Sequence, residues 1–140
     1  MTELELIALA KEAAKNAYVP YSHHTVGAAL LSKSGKVYLG CNIENAAYSP
    51  TNCAERTAFF KAISEGEREF EAIAVVGGYE LDFADYFAPC GVCRQVMAEF
   101  CDMDSFRVIF GKNGEEFKSF ILREILPFGF SPSDLKKPQL

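Results

Sequence analysis

A nearly continuous apolar run, EAIAVVGG at residues 71–78, constrains the fold of this chain more than any other stretch of its sequence. Apolar runs of this length that are rich in Val and Ile are typical of strands buried on both faces. A sheet built around such a strand must be covered on each side. The run therefore predicts an α/β arrangement in which helices pack against a central sheet.

Helices and strands are predicted on both sides of this run. A first helix is expected over residues 2–16, where Thr2 and Glu5 form a capping box ahead of apolar residues at helical spacing. Strands are expected at 25–32 and 36–43, joined by a short KSG hairpin, and again at 106–110 and 115–120. Further helices are expected at 53–66, at 90–101 and over ILREIL, which begins at 121. Together these elements predict one α/β domain over residues 1–140.

Net charge and hydropathy argue against two large classes of function. The formal net charge is −5, and the nearest approach to a basic cluster is Lys136-Lys137, so we expect no nucleic-acid partner. No apolar run approaches the ~18 residues of a membrane span. The opening MTELELIALA carries acids where a signal peptide needs a basic region. We therefore expect no membrane association, a cytoplasmic protein and a small neutral substrate.

The chain has five cysteines, an odd number that makes a poor disulfide framework. Metal binding, catalysis or core packing must account for them. Cys41 and Cys101 stand apart from any motif, and we interpret them as core residues. Cys53, Cys90 and Cys93 are different, because they lie in the motifs CAE and PCGVC at the starts of two predicted helices.

The start of a helix favours thiolates, since its first N–H groups lack partners and its dipole is positive there. Thiolate is the form of cysteine that binds zinc. Cys90 and Cys93 lie on one helix face at i, i+3, and the intervening helix and strand would return the chain so that Cys53 completes a three-thiolate site. Three protein ligands, with the fourth position left for water, are typical of a catalytic zinc, which lowers the pKa of its water to roughly 7.

Of the charged residues next to these cysteines, Glu55 favours an enzyme over a structural zinc clip, and two arginines would balance the charge of the site. Glu55 is separated from Cys53 by one residue, so it would reach the water without binding the metal, and would carry protons to a substrate nitrogen. Three thiolates bring much negative charge to the site. Arg56 and Arg94 follow the two cysteine motifs directly and would offset it.

CAE followed by PCxxC resembles the signature of the zinc deaminases. The resemblance to the small, homotetrameric, three-cysteine cytidine deaminases extends over nearly the whole chain. The segments that carry it are PYS at 20–22, VGAAL at 26–30, GCNIENAAYSPTNCAERTA at 40–58, PCGVCRQV at 89–96 and LPFGFSPSDL at 126–135. It implies a three-layer fold with a five-stranded mixed sheet and helices on both faces. It also implies one Zn²⁺ per subunit, held by Cys53, Cys90 and Cys93, with Glu55 as the proton shuttle and Arg56 hydrogen-bonded to the ligand sulfurs.

The same resemblance implies roles in substrate binding. Asn42 and Glu44 of the NIEN segment match the family's ribose-binding residues, and the backbone N–H of Ala54 would hold the carbonyl oxygen of cytosine. Phe130 matches an aromatic residue that reaches into a neighbouring subunit's site, so each site would be completed within a homotetramer. His24 departs from the family, which commonly has Phe there, stacked on the base; imidazole is flat but smaller and titratable.

The sequence therefore predicts a zinc-dependent hydrolytic deaminase of cytidine and 2′-deoxycytidine that acts in pyrimidine salvage. Three alternatives share part of the pattern. A deaminase of a nucleoside antibiotic such as blasticidin S would share the zinc motif, although NIEN favours a plain ribose. A polynucleotide-editing deaminase is disfavoured by the acidic charge balance. A non-enzymatic zinc-binding module would need the cysteines but not Glu55.

Overall fold

The computed structural model describes residues 1–135 of the chain, and Lys136 and Lys137 lie outside the described residues. Within this range the structure has five strands and five helices. The strands are β1 (His24–Ser32), β2 (Val37–Cys41), β3 (Phe70–Tyr79), β4 (Arg107–Gly111) and β5 (Phe117–Ile121). The helices are α1 (Glu3–Ala14), α2 (Ala54–Ser64), α3 (Gly91–Phe100), α4 (Leu122–Ile125) and α5 (Pro132–Leu135). None of the described helices is both long enough and apolar enough to cross a bilayer.

The strands form one mixed sheet in the order β2-β1-β3-β4-β5. β1 is antiparallel to both β2 and β3, β3 is parallel to β4, and β4 is antiparallel to β5. The apolar run 71–78 is thus the central strand, as its composition predicts. β2 and β3 point the same way because both oppose β1, and α2 connects them.

Helices cover both faces of the sheet, which confirms the predicted three-layer arrangement. Side chains of β3 alternate between two apolar clusters. Ala72, Ala74 and Val76 pack with the apolar face of α1. Ile73 and Val75 pack on the opposite side with residues of α2, α3 and α4. Each face of the central strand is therefore buried against a helical layer.

A close approach of backbone to backbone fixes the start of α2 on the sheet. A Cβ atom added at Gly40 of β2 would lie 2.3 Å from the carbonyl oxygen of Ala54 and 2.6 Å from the amide nitrogen of Ala58. Only glycine leaves room for this contact. The first turn of α2 is thereby held directly against the edge strand of the sheet.

The predicted boundaries differ from the structure by a few residues. The Oγ1 of Thr2 accepts a hydrogen bond from the Glu5 amide at 3.2 Å, so this residue caps α1 as predicted. β2 ends at Cys41 instead of residue 43, because the chain turns away to pair Ile43 with Asn52 in an isolated bridge. The helix α5 is absent from the sequence prediction, since its four residues are too short for an apolar period.

Candidate active site

The three cysteines of the two motifs meet where α2 and α3 begin. Their sulfur atoms all lie within 4.8 Å of one another, and the Sγ atoms of Cys53 and Cys90 are 3.8 Å apart. A tetrahedral metal with Zn–S bonds of about 2.3 Å separates its sulfur ligands by about 3.8 Å. The donor set and its spacing therefore fit Zn²⁺, with Cys53, Cys90 and Cys93 as the residues that would hold it.

Local backbone geometry explains why two of the sulfurs point to one place. Cys53 and Cys90 are the N-cap residues of their helices, both with extended backbone, at φ −75°, ψ 156° and φ −68°, ψ 167°. Neither side chain bonds to a described amide of its own helix, so both sulfurs are free to face the cluster. Cys93, one turn into α3, is fully buried and supplies the inner sulfur.

Arg56 supplies positive charge to this cluster. Its Nη2 donates a hydrogen bond to the Sγ of Cys53 at 3.2 Å. Hydrogen bonding from Cys93 and then from Arg56 lowers the pKa of Cys53 to about 5, against the opposing effect of burial. The same contact with Cys53 raises the pKa of Arg56 above its usual range. Cys53 is thus held as a thiolate at neutral pH.

Glu55 is the most unusual residue of the site. Its side chain is 1% exposed, and neither carboxylate oxygen has a hydrogen-bond partner among residues 1–135. Burial raises its pKa to about 7. Buried carboxylates are normally paired or hydrogen-bonded, because an unpaired one costs free energy. A buried carboxyl without a partner, such as that of Glu55 beside the three sulfurs, is suited to exchange protons with a ligand of the site.

Arg94 follows Cys93 directly, but its described hydrogen bonds go to backbone carbonyls and not to the cysteine sulfurs. Its Nε donates to the carbonyl oxygen of Pro89 at 2.8 Å and its Nη1 to that of Ile125 at 2.6 Å. The expectation that Arg94 offsets the thiolate charge is therefore wrong. It ties the residue before Cys90 to the end of α4, and so positions the start of α3.

The NIEN segment lies directly beside Cys53. The backbones of Ile43 and Asn52 exchange hydrogen bonds of 3.0 and 2.9 Å. The Asn42 side chain bridges to β1, accepting from the Val26 amide at 2.9 Å and donating to the His24 carbonyl at 2.8 Å. The pairing of Ile43 brings the backbone of this segment next to Asn52, the residue before Cys53, while the side chain of Asn42 is held by β1.

Glu44 holds the loop that precedes β1. Its Oε1 accepts from the amides of Tyr21 and Ser22 at 3.0 and 3.2 Å, and its Oε2 accepts from the Ser22 hydroxyl. These bonds, that of the hydroxyl first, lower the pKa of Glu44 below its ordinary value. The carboxylate lines a pocket of about 430 Å³ together with Tyr21, Ser22, Tyr48 and Thr51. It is therefore ionised and faces an open space.

Comparison with known proteins agrees with this geometry. Residues 1–111 match the model of the cytidine and deoxycytidylate deaminase zinc-binding region. The chain belongs to this family. It is 52% identical over 131 residues to a cytidine deaminase of Sporosarcina psychrophila, which covers 94% of this chain and 93% of that protein. The 1.6 Å crystal structure of cytidine deaminase from Burkholderia pseudomallei superposes with a TM-score of 0.85 at 45% identity, over 93% of this chain and 100% of that one.

A relative named for another activity is more distant in sequence. The blasticidin-S deaminase of Bacillus cereus is 32% identical over 133 residues, which cover 92% of both chains. The deaminase family and the zinc-binding character predicted from the cysteine motifs are thus confirmed. So is the α/β fold with its five-stranded mixed sheet.

Two predicted residues of this deaminase domain lie outside the cysteine cluster. His24 opens β1, is exposed, and packs its ring against that of Phe87, with centroids 5.8 Å apart. Phe130 lies between α4 and α5 and is 56% exposed, and Phe128 beside it is fully exposed at 103%. The carbonyl of Phe130 accepts from Gln95 Nε2 of α3 at 2.8 Å. The structure thus holds the backbone of this segment while its aromatic rings face outward.

Sequence reasoning missed two residues that support the site. Thr57 accepts from the Asn52 amide group at 3.1 Å and donates to the Cys53 carbonyl at 3.1 Å, which anchors the cap of α2. Thr at N4 of a helix that begins with cysteine is the signal that would have found it. Phe87 carries no such signal, because only the tertiary structure brings it to His24.

Proposed function

We propose that this protein hydrolyses free cytidine and 2′-deoxycytidine to the uridine nucleosides, with release of ammonia. The observation that carries the proposal is Glu55, a buried carboxylate that the described chain leaves without a hydrogen-bond partner, beside three clustered sulfurs. A purely structural zinc site has no use for such a group. The relatives named as cytidine deaminases support a cytosine nucleoside as the substrate.

Zinc bound by Cys53, Cys90 and Cys93 would supply a Lewis acid and a nucleophile at neutral pH. The residues of the chain perform the rest of the reaction. Arg56 stabilises the thiolates through its bond to Cys53. The first residues of α2 and α3 add the positive ends of two helices. These charges hold the cluster ready before the substrate arrives, which is the arrangement that favours electrostatic catalysis.

Glu55 moves the protons of the reaction. It takes one proton from the attacking water and gives it to N3 of the pyrimidine while oxygen bonds to C4. It then takes the proton of the new hydroxyl and gives it to the exocyclic amine, the C4–N bond breaks, and ammonia leaves as the C4 carbonyl forms. With a pKa of about 7, the carboxyl populates both of its forms near neutral pH.

Four groups would orient the nucleoside. Oε2 of Glu44, which accepts only from the Ser22 hydroxyl, and the side-chain amide of Asn42 keep hydrogen-bonding capacity beyond these contacts, enough for ribose hydroxyls. The N–H of Ala54 belongs to the first turn of α2, where amides lack helical partners, and would donate to the cytosine carbonyl. The imidazole of His24 would pack against the base.

Phe130 would complete the site of a neighbouring subunit in a homotetramer. Its exposure and that of Phe128 support this, because large apolar side chains exposed close together are typical of interaction surfaces. Mixing subunits provides a test. Phe130→Ala and Glu55→Gln protomers, each impaired alone, should regain activity as hybrids if one subunit supplies Glu55 and the other Phe130. Hybrids no more active than their parents, or a monomer by light scattering, would contradict the assembly.

An ultraviolet assay on cytidine, deoxycytidine, cytosine and CMP, with zinc content measured on the same sample, tests the proposed function. Activity confined to the two nucleosides is expected. Activity on blasticidin S but not cytidine would favour the antibiotic alternative, and a zinc-loaded but inactive protein would favour a binding module. The single-domain boundaries, the cytoplasmic setting and the role in pyrimidine salvage stay predictions.

A further inference from the structure

Two flat side chains, His24 and Phe87, pack together beside the candidate site. Their ring centroids are 5.8 Å apart and their planes differ by 39°. Phe87 is partly buried and packs on the core cluster that contains Val26 and Ala54. It precedes Cys90 by three residues, so it lies on the segment that brings the second cysteine motif to the site.

The backbone of His24 is held from several directions. Its N–H donates to the Ser22 hydroxyl at 3.0 Å, and its carbonyl accepts from the Asn42 side chain at 2.8 Å. It also pairs with Tyr79 at the end of β3. With the backbone fixed in this way, the remaining freedom of His24 is rotation of its side chain. The packing of that side chain therefore decides where the imidazole points.

Phe87 takes its own position from a glycine of the central strand. A Cβ atom added at Gly77 would lie 2.6 Å from both Cγ and Cδ2 of the Phe87 ring. The ring thus lies against the bare backbone of β3. Gly77 is in regular register with Val26 of β1. An alanine at this position would displace the ring while the strand pairing is kept.

We propose that Phe87 is a positioning residue for the substrate, whose ring holds the imidazole of His24 in the orientation in which it packs against the base. The inference rests on the proposed function, since it takes the pyrimidine as the ligand of His24. Aromatic rings pack in offset or edge arrangements at centroid separations of about 4.5–7 Å. A ring already held in place has less freedom to lose when the ligand binds.

Steady-state kinetics on cytidine with the zinc-loaded protein test the proposal. Phe87→Leu and Gly77→Ala should each raise KM about three- to tenfold and leave kcat within about twofold. Phe120→Leu is the matched control, because Phe120 is a partly buried aromatic residue that packs on Phe110 at 5.1 Å. It should leave KM unchanged. In a His24→Ala background, Phe87→Leu should raise KM no further. The positioning role would be overturned if the effects of the two substitutions were additive, or if Phe87→Leu and Gly77→Ala left KM unchanged when made singly in the wild-type protein.

Nuclear magnetic resonance provides a readout that does not depend on turnover. The chain has two histidines, so His23→Gln assigns the ring protons of His24. Phe87→Leu and Gly77→Ala should shift these resonances, since they remove or displace the neighbouring ring, and Phe120→Leu should not. Unchanged resonances would overturn the pair itself. If the variants show these shifts but the wild-type protein neither binds nor deaminates a cytosine nucleoside, the proposed function is overturned and, with it, the role of the pair toward the base.

Discussion

Replacing Glu55 by Gln should abolish turnover without destabilising the protein. Gln keeps the size of the side chain but can neither accept nor carry a proton, so we expect kcat to fall by about 10²- to 10⁴-fold or more. Zinc should remain bound, because the three sulfurs are unchanged. A residue that served the fold would show the opposite pattern, since its loss would lower the free energy of unfolding.

The pKa of Glu55 sets the size of the stability effect. Folding raises it from 4.5 to about 7, and each unit corresponds to about 1.4 kcal/mol. The folded state then binds more protons than the unfolded state between these values, so the stability of the wild type falls as pH rises through this window. Relative to a Glu55 with an unshifted pKa, the free energy of unfolding of the wild type is lower by about 3 kcal/mol at pH 8 and by about 1 kcal/mol at pH 5. A zinc ion beside the carboxylate reduces this cost, so these figures are upper limits.

Urea unfolding at pH 8 and pH 5 measures this difference. Glu55→Gln should be as stable as the wild type or more stable at pH 8, by at most about 3 kcal/mol, and the gap should narrow at pH 5. Glu71→Gln, at an exposed position of β3, is the matched control and should show neither effect. Turnover within tenfold of the wild type, or a loss of more than about 1 kcal/mol at pH 8, would refute the reasoning.

Three further substitutions test how the site is supported. Arg56→Gln removes the hydrogen bond to Cys53, so a competing chelator should remove zinc about 10- to 100-fold more readily; equal retention would contradict the role of this cation. Gly40→Ala forces a Cβ against the α2 backbone at 2.3 Å and should lower the free energy of unfolding by about 1–3 kcal/mol, as measured in urea; an unaffected midpoint would show that the helix can move away. Ser22→Ala removes the hydroxyl that holds Oε2 of Glu44, so the carboxylate is less firmly oriented and KM for cytidine should rise with little change in melting temperature; an unchanged KM would contradict the need for an oriented Glu44 in ribose binding.

Local sequence determined the elements and the chemistry that the site carries. The apolar run 71–78 specified a strand buried on both faces, and the capping and apolar spacing around Thr2 specified α1. Cys53 and Cys90 each begin a helix as the motifs indicate. These features depend on residues a few positions apart, and hydrogen bonding and hydrophobic periodicity act over that distance.

Tertiary structure alone decided how these pieces combine. The motifs predicted that the three sulfurs meet, but the strand order behind this, with β1 between β2 and β3 and both of these pointing the same way, is stated by no local pattern. Packing diverted Arg94 from the thiolates to the carbonyls of Pro89 and Ile125, and it placed Phe87 on Gly77 and His24. Such contacts join residues that are distant in sequence. They form only when the whole core is assembled, because each depends on the shape of surfaces that other elements supply.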